Sequence, residues 1–101
     1  MDRSMVSTTA LRAAVSRAIH QLVDDEPKIL TDPVAAPLAE SAAPGAVEAG
    51  MQTSSVPDRA IGRALMVFRS RFAEDELAAA AARGVRQYVL LGAGLDTFAY
   101  R

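Results

Sequence analysis

The residues of this sequence best suited to chemistry lie near its end, in Val89-Leu90-Leu91-Gly92-Ala93-Gly94-Leu95-Asp96-Thr97. An apolar run that stops at two glycines reads as a strand followed by a turn. In a strand–turn–helix unit, ligands bind beyond the carboxyl end of the strand. Glycine lets the backbone approach a ligand with no side chain in the way. Free amides at the start of a following helix can then face a carboxylate or a phosphate. Asp96 fits two roles, a cap on that helix or a contact to the ligand. A tight turn in a parallel sheet, with no ligand at all, accounts for the local pattern equally well.

Two nucleotide chemistries are disfavoured at this turn. The third glycine of the dinucleotide fingerprint would fall three residues after Gly94, where Thr97 stands, so a nicotinamide-dependent oxidoreductase is the weaker reading. No lysine follows in the place that a phosphate loop requires.

Composition narrows the field further. Lysine and arginine number 11 against 12 acids, a net charge of -1, and aromatic residues make up 5%. That balance offers nucleic acid neither a basic surface nor stacking platforms. The chain has no cysteine, which excludes disulfides and thiolate metal sites and suits a cytoplasmic location. His20 is the only histidine; it reads as a helix-face residue, because no carboxylate partner is evident. The N-terminus lacks a targeting pattern. Leu77-Ala78-Ala79-Ala80-Ala81-Ala82 is the longest apolar run and is too short to cross a membrane.

The elements that would position the turn are mostly helical. Leu11, Val15, Ala18, Ile19 and Leu22 recur at helical spacing, predicting a helix from about Thr8 to Val23 capped by Ser7, Thr8 or Thr9. Arg12 and Arg17 lie off that stripe. Pro27 breaks the pattern. Asp32 before Pro33 predicts a capped short helix to about Glu40, with Pro37 limiting it. Residues 41–55 read as a mobile surface loop with one helical turn near Ala46–Ala49. Ile61, Leu65, Phe68 and Phe72 then predict a helix capped by Asp58. Acids at 74–76 and Gly84 as a left-handed stop bound a further helical stretch, either one kinked helix or two. Met51 and Met66 read as packing residues.

Gln87-Tyr88-Val89-Leu90-Leu91 lacks alternation, as expected of a strand covered on both faces. Such a strand needs neighbours, and a parallel neighbour needs a crossover of a dozen or more residues. No second strand is evident, so the sheet is expected to be completed beyond Arg101.

Three stretches together carry a family resemblance: Arg69-Ser70-Arg71-Phe72-Ala73-Glu74-Asp75, Ala82-Arg83-Gly84-Val85-Arg86-Gln87, and Leu91-Gly92-Ala93-Gly94-Leu95-Asp96-Thr97-Phe98-Ala99-Tyr100-Arg101. With Arg17-Ala18-Ile19-His20 and Lys28-Ile29-Leu30-Thr31-Asp32-Pro33-Val34-Ala35, they resemble the leucine carboxyl methyltransferase-like family, which includes many bacterial S-adenosylmethionine-dependent methyltransferases. The resemblance covers nearly the whole chain. It implies an α/β class: an N-terminal helical cap with its loop over 1–56, and over 57–101 the start of a Rossmann-like cofactor domain with an incomplete sheet.

It also implies S-adenosyl-L-methionine as cofactor and a small-molecule or carboxyl-bearing methyl acceptor; composition, as above, argues against nucleic acid and membrane as partners. Gly92, Ala93 and Gly94 match the family's cofactor turn. Arg71 matches its arginine for the cofactor carboxylate, a task suited to a guanidinium fork, although a solvated helix residue is the ordinary fate of an arginine. Arg17 matches a basic residue of the first helix with a similar task. Leu90 stands where many class I methyltransferases carry an acid, and Phe98 where bacterial members often carry an arginine. A non-catalytic helical remnant that acts through a partner or through self-association is the alternative.

Overall fold

The computed structural model describes residues 7–101. Four α-helices are followed by a glycine turn and a short 3₁₀ helix: α1 (Thr8–Val23), α2 (Ala35–Ala42), α3 (Ala46–Met51), α4 (Pro57–Ala82) and the 3₁₀ turn Phe98–Tyr100.

Helix α1 is the hub, packed against each of the other three. The Ser7 side chain accepts from the Ala10 amide and so starts it, satisfying a donor with no partner inside the helix. The core is Ala14, Ala18, Ile19, Ala35, Ala39 and Val47, with Leu11, Val15 and Met51 packed on it. Small side chains dominate, so the helices approach closely; the backbone of Gly50 lies directly over Val15 and Ile19. The buried stripe is rotated from the expected one. Leu22 is exposed, whereas Arg17 and His20 are buried, because both have hydrogen-bonding partners on other segments.

Helix α2 begins at Ala35, and Pro37 lies in its first turn rather than at its limit. The first four amides of a helix have no partner inside it, so a proline there sacrifices nothing. The expected loop at 41–55 contains a built element, α3, docked on α1. Glu40 makes it possible: its carboxylate accepts from the Gly45 amide at 2.8 Å and the Val47 amide at 3.1 Å.

Helix α4 runs as one continuous helix of 26 residues. Pro57 opens it, where a missing amide hydrogen is harmless, and Asp58 falls inside the first turn instead of capping it. At the other end Gly84, at φ +96°, reverses the chain. The Val85 amide bonds to the Ala80 carbonyl and the Gly84 amide to that of Ala81, the paired bonds of a Schellman stop. Its apolar stripe is not the face that packs on α1. Ile61, Leu65, Phe68 and Phe72 are exposed, and the face turned to α1 carries Val67 and Arg63. Arg63 decides that orientation, since its guanidinium grips Asp24 at the end of α1 with two 2.8 Å bonds.

No strand forms among the described residues, which corrects the expectation of a buried first strand at 87–91. Val89 and Leu91 are 75% and 88% exposed. A strand is defined by its ladder, and nothing beside this segment offers one. Within residues 7–101 the fold is therefore helical. No helix among them is long and apolar enough to cross a membrane.

Candidate functional site

The turn is shaped by its glycines. Gly92 and Gly94 adopt φ +61° and +55°, a region that other residues enter only at a cost. A side chain on Gly94 would also lie 3.0 Å from the Cβ of Ala10, so the turn is pressed against the start of α1. The Asp96 amide donates to the Ala93 carbonyl at 2.9 Å. Asp96 itself accepts from the Phe98 amide at 2.9 Å and so caps the 3₁₀ turn.

Between the turn and the helices lies a cavity of about 610 Å³. Its floor is the small-residue face of α1, Thr9, Ala10 and Ala13, with Arg17 at one end. One wall is Gly92 to Asp96, and the opposite wall is Met66, Arg69, Ser70 and Ala73 of α4. Five of the six expected site residues thus meet here: Arg17, Gly92, Ala93, Gly94 and Asp96.

Arg71 does not line this cavity. It is half exposed and donates to Asp75 at 2.9 Å, one helical turn on, and to the Ile29 carbonyl at 3.1 Å. Arg69 occupies the cavity wall instead. The two arginines stand two positions apart on α4, roughly 200° around the helix, so one faces the turn and the other faces residues 28–31.

Arg17 is held by the fold. Its Nε donates to Asp32 at 3.2 Å, and one Nη donates to the Leu95 carbonyl at 2.6 Å. Asp32 is the cap expected from the sequence, its Oδ1 accepting from the Val34 and Ala35 amides at 3.1 Å each. It is also fully buried, and its Oδ2 receives both Arg17 and, at 2.6 Å, the Thr97 hydroxyl. Thr97 in turn accepts from Arg101 at 3.0 Å, and Arg101 reaches Glu74 of α4. Sequence reading missed this connection because Asp32 and Thr97 are 65 positions apart.

A second polar cluster lies at the far end of α1. The His20 ring accepts the Leu30 amide on Nε2 at 3.4 Å, which leaves Nδ1 as the donor to Asp24 at 2.7 Å. The carboxylate partner judged absent from the sequence is therefore four residues on, at the spacing that places two side chains on one helix face. Hydrogen bonding to Arg63 holds the Asp24 carboxyl down at about 2, and the Arg63 guanidinium is raised in turn. The cluster ties the end of α1 to α4 through Arg63 and to the following loop through Leu30.

A further, mostly apolar cavity of about 480 Å³ opens between α1, α3 and α4, lined by Leu11, Val15, Ile19, Ala46, Ala49 and Gly50 among others. Met66 borders both cavities.

Comparison with known proteins gives a consistent set of matches. The chain is 38% identical over 104 residues to a protein of Saccharopolyspora erythraea, over 97% of this chain and 33% of that protein. It is 38% identical over 97 residues to one of Mycobacteroides abscessus, over 95% and 32%. With one of Mycolicibacterium gilvum it shares 37% over 109 residues, covering 97% and 34%. Each is named, provisionally, as an S-adenosyl-L-methionine-dependent methyltransferase. The chain spans about a third of the length of these relatives, their N-terminal part. No solved structure gives a significant match. The sequence model of the leucine carboxyl methyltransferase family matches residues 10–101, a span that includes most of α1, all of α4 and the glycine turn, and the chain belongs to that family.

Proposed function

We propose that this chain provides the cofactor-facing part of an S-adenosyl-L-methionine-dependent methyltransferase, with transfer to a carboxylate or hydroxyl oxygen of a small-molecule or carboxyl-bearing acceptor. The observation that carries the reading is the single cavity in which Gly92, Ala93, Gly94 and Asp96 face Arg17 and Arg69. Its volume lies within the range of small-molecule sites, roughly 300–1,000 Å³.

The lining suits the amino-acid end of that cofactor. The glycines admit a ligand to the backbone, and a guanidinium is the natural partner for its carboxylate. Arg17 is pre-aimed by Asp32 and Leu95, and its second Nη makes no hydrogen bond among the described residues. When bound, the cofactor supplies a methyl group on a positively charged sulfur. The chain's own part is to hold and orient, which supplies much of the rate in such transfers. Arg71 joins the site, on this reading, only if it leaves Asp75. Residues 1–56 then act as a helical cap, and 57–101 as the start of the cofactor domain.

The chain covers a third of its relatives, and the acceptor pocket falls to the remainder. Alone it is expected to bind the cofactor weakly and to transfer nothing. Isothermal titration with S-adenosyl-L-methionine tests this: weak binding agrees, and tight stoichiometric binding contradicts it.

A second reading is favoured by the exposed stripe on α4. A non-catalytic helical chain would use that face for self-association. Size-exclusion chromatography with light scattering separates the two, a well-folded oligomer supporting the second.

A further inference from the structure

We infer that Asp32, acting through Thr97 and Arg17, sets the conformation of the glycine turn before any cofactor arrives, and is a positioning residue of the methyltransferase site. The inference rests on the reading of that turn as the cofactor's cradle.

A cap alone does not explain Asp32. Capping α2 uses Oδ1 and nothing more, and a capping carboxylate serves equally well at the surface. Here the side chain is fully buried, an arrangement that is unfavourable unless each oxygen is paired. Oδ2 is the oxygen in excess of the cap, and both of its partners lead to the turn. Thr97 is the residue that closes the turn, and it donates at 2.6 Å. Arg17 spans Asp32 and the Leu95 carbonyl, so it clamps the turn from the other side.

The turn needs such an anchor. Two glycines give it more freedom than any other residue type would, and the segment before it has no ladder to steady it. Its fixed points come from α1, from the loop before α2 and, through Arg101, from Glu74 of α4, and Asp32 joins the first two. Thr97, which stands where the dinucleotide fingerprint has its third glycine, thereby gains a role: its hydroxyl is the latch, a bond no glycine can make. The start of α2 and the shape of the cradle are coupled through one carboxylate.

Amide hydrogen exchange of the full chain, paired with titration of S-adenosyl-L-methionine, tests this in Asp32→Asn, Thr97→Val and a control, Asp24→Asn. Asparagine keeps the cap oxygen but turns an amide donor toward Arg17 and Thr97. We expect the amides of 93–97 to exchange at least roughly tenfold faster in both Asp32→Asn and Thr97→Val, and cofactor affinity to fall by at least roughly tenfold. The control is expected to leave the turn unchanged. If Asp32→Asn also exposes the α1 amides, Thr97→Val alone decides, since it removes only the hydroxyl.

Unchanged exchange at 93–97 in Thr97→Val would overturn the inference, as would equal loosening by Asp24→Asn. A turn that loosens as expected, in a chain whose unmodified form shows no cofactor contact at 92–96, would support the anchoring and overturn the cofactor reading instead.

Discussion

At the residue scale, single atoms decide how the turn and α4 are built. Gly94→Ala would place a methyl group 3.0 Å from Ala10 and force a side chain to φ +55°. A loss of roughly 1–3 kcal/mol is expected, read as a lower unfolding midpoint in urea. Gly62 makes the opposite case. It lies inside α4 with open space around its missing side chain, so Gly62→Ala is expected to stabilise by about 0.5–1 kcal/mol in the same assay. Most of the glycine turn was legible in the sequence, because positive-φ glycines after an apolar run are a local signal. The cap role of Asp32 was legible for the same reason, through the proline that follows. Its second role was not, since the bond to Thr97 closes over a long stretch of chain. Helical phase, which a short motif does not carry, places Arg69 rather than Arg71 on the wall of the cavity beside the turn.

At the scale of the elements, the junction of α1 and α4 yields a dependence on pH. Asp24 ordinarily titrates near 3.8 and is held at about 2 in the folded chain, first by its hydrogen bond from Arg63. A carboxyl lowered on folding stabilises the fold above its unfolded value and loses that contribution as pH falls through the folded one. Stability toward urea should therefore decline between about pH 4 and pH 2, and Asp24→Asn should flatten the decline within that window. A variant with the same slope as the parent would remove Asp24 from the explanation. Helices α1, α2 and α4 were legible from periodicity, caps and the Gly84 stop. Helix α3 was only partly so, because its N-terminal amides are satisfied by Glu40, a side chain from the preceding helix. The facing of α4 was not legible: periodicity finds an apolar stripe but not what covers it, and the ion pair of Arg63 with Asp24 leaves that stripe outward.

At the scale of the whole molecule, the described residues form a thin body of 44 × 39 × 20 Å, about two helices deep. Ile61, Leu65, Phe68 and Phe72 lie in a row on one side, each more than half exposed. An apolar row of that length is the candidate face for the association proposed above. Phe68→Ser with Phe72→Ser is expected to change unfolding stability by less than about 1 kcal/mol, while it lowers any concentration-dependent association seen by light scattering. A large loss of stability would show that the stripe packs within the chain after all. The strand expected at 87–91 is the part of the fold least accessible to local reading. Its apolar run was visible, but a ladder depends on segments with which these residues must pair, and none of the described elements supplies them.

The most direct test of the central claim is residue-resolved amide NMR of the chain titrated with S-adenosyl-L-methionine, against a parallel titration with a nicotinamide dinucleotide. The account expects weak, saturable shifts at Gly92, Ala93, Gly94 and Asp96 and around Ala13 and Arg17 of α1, with the dinucleotide producing none. Shifts confined to the cavity between α1, α3 and α4, or equal responses to both nucleotides, would contradict it.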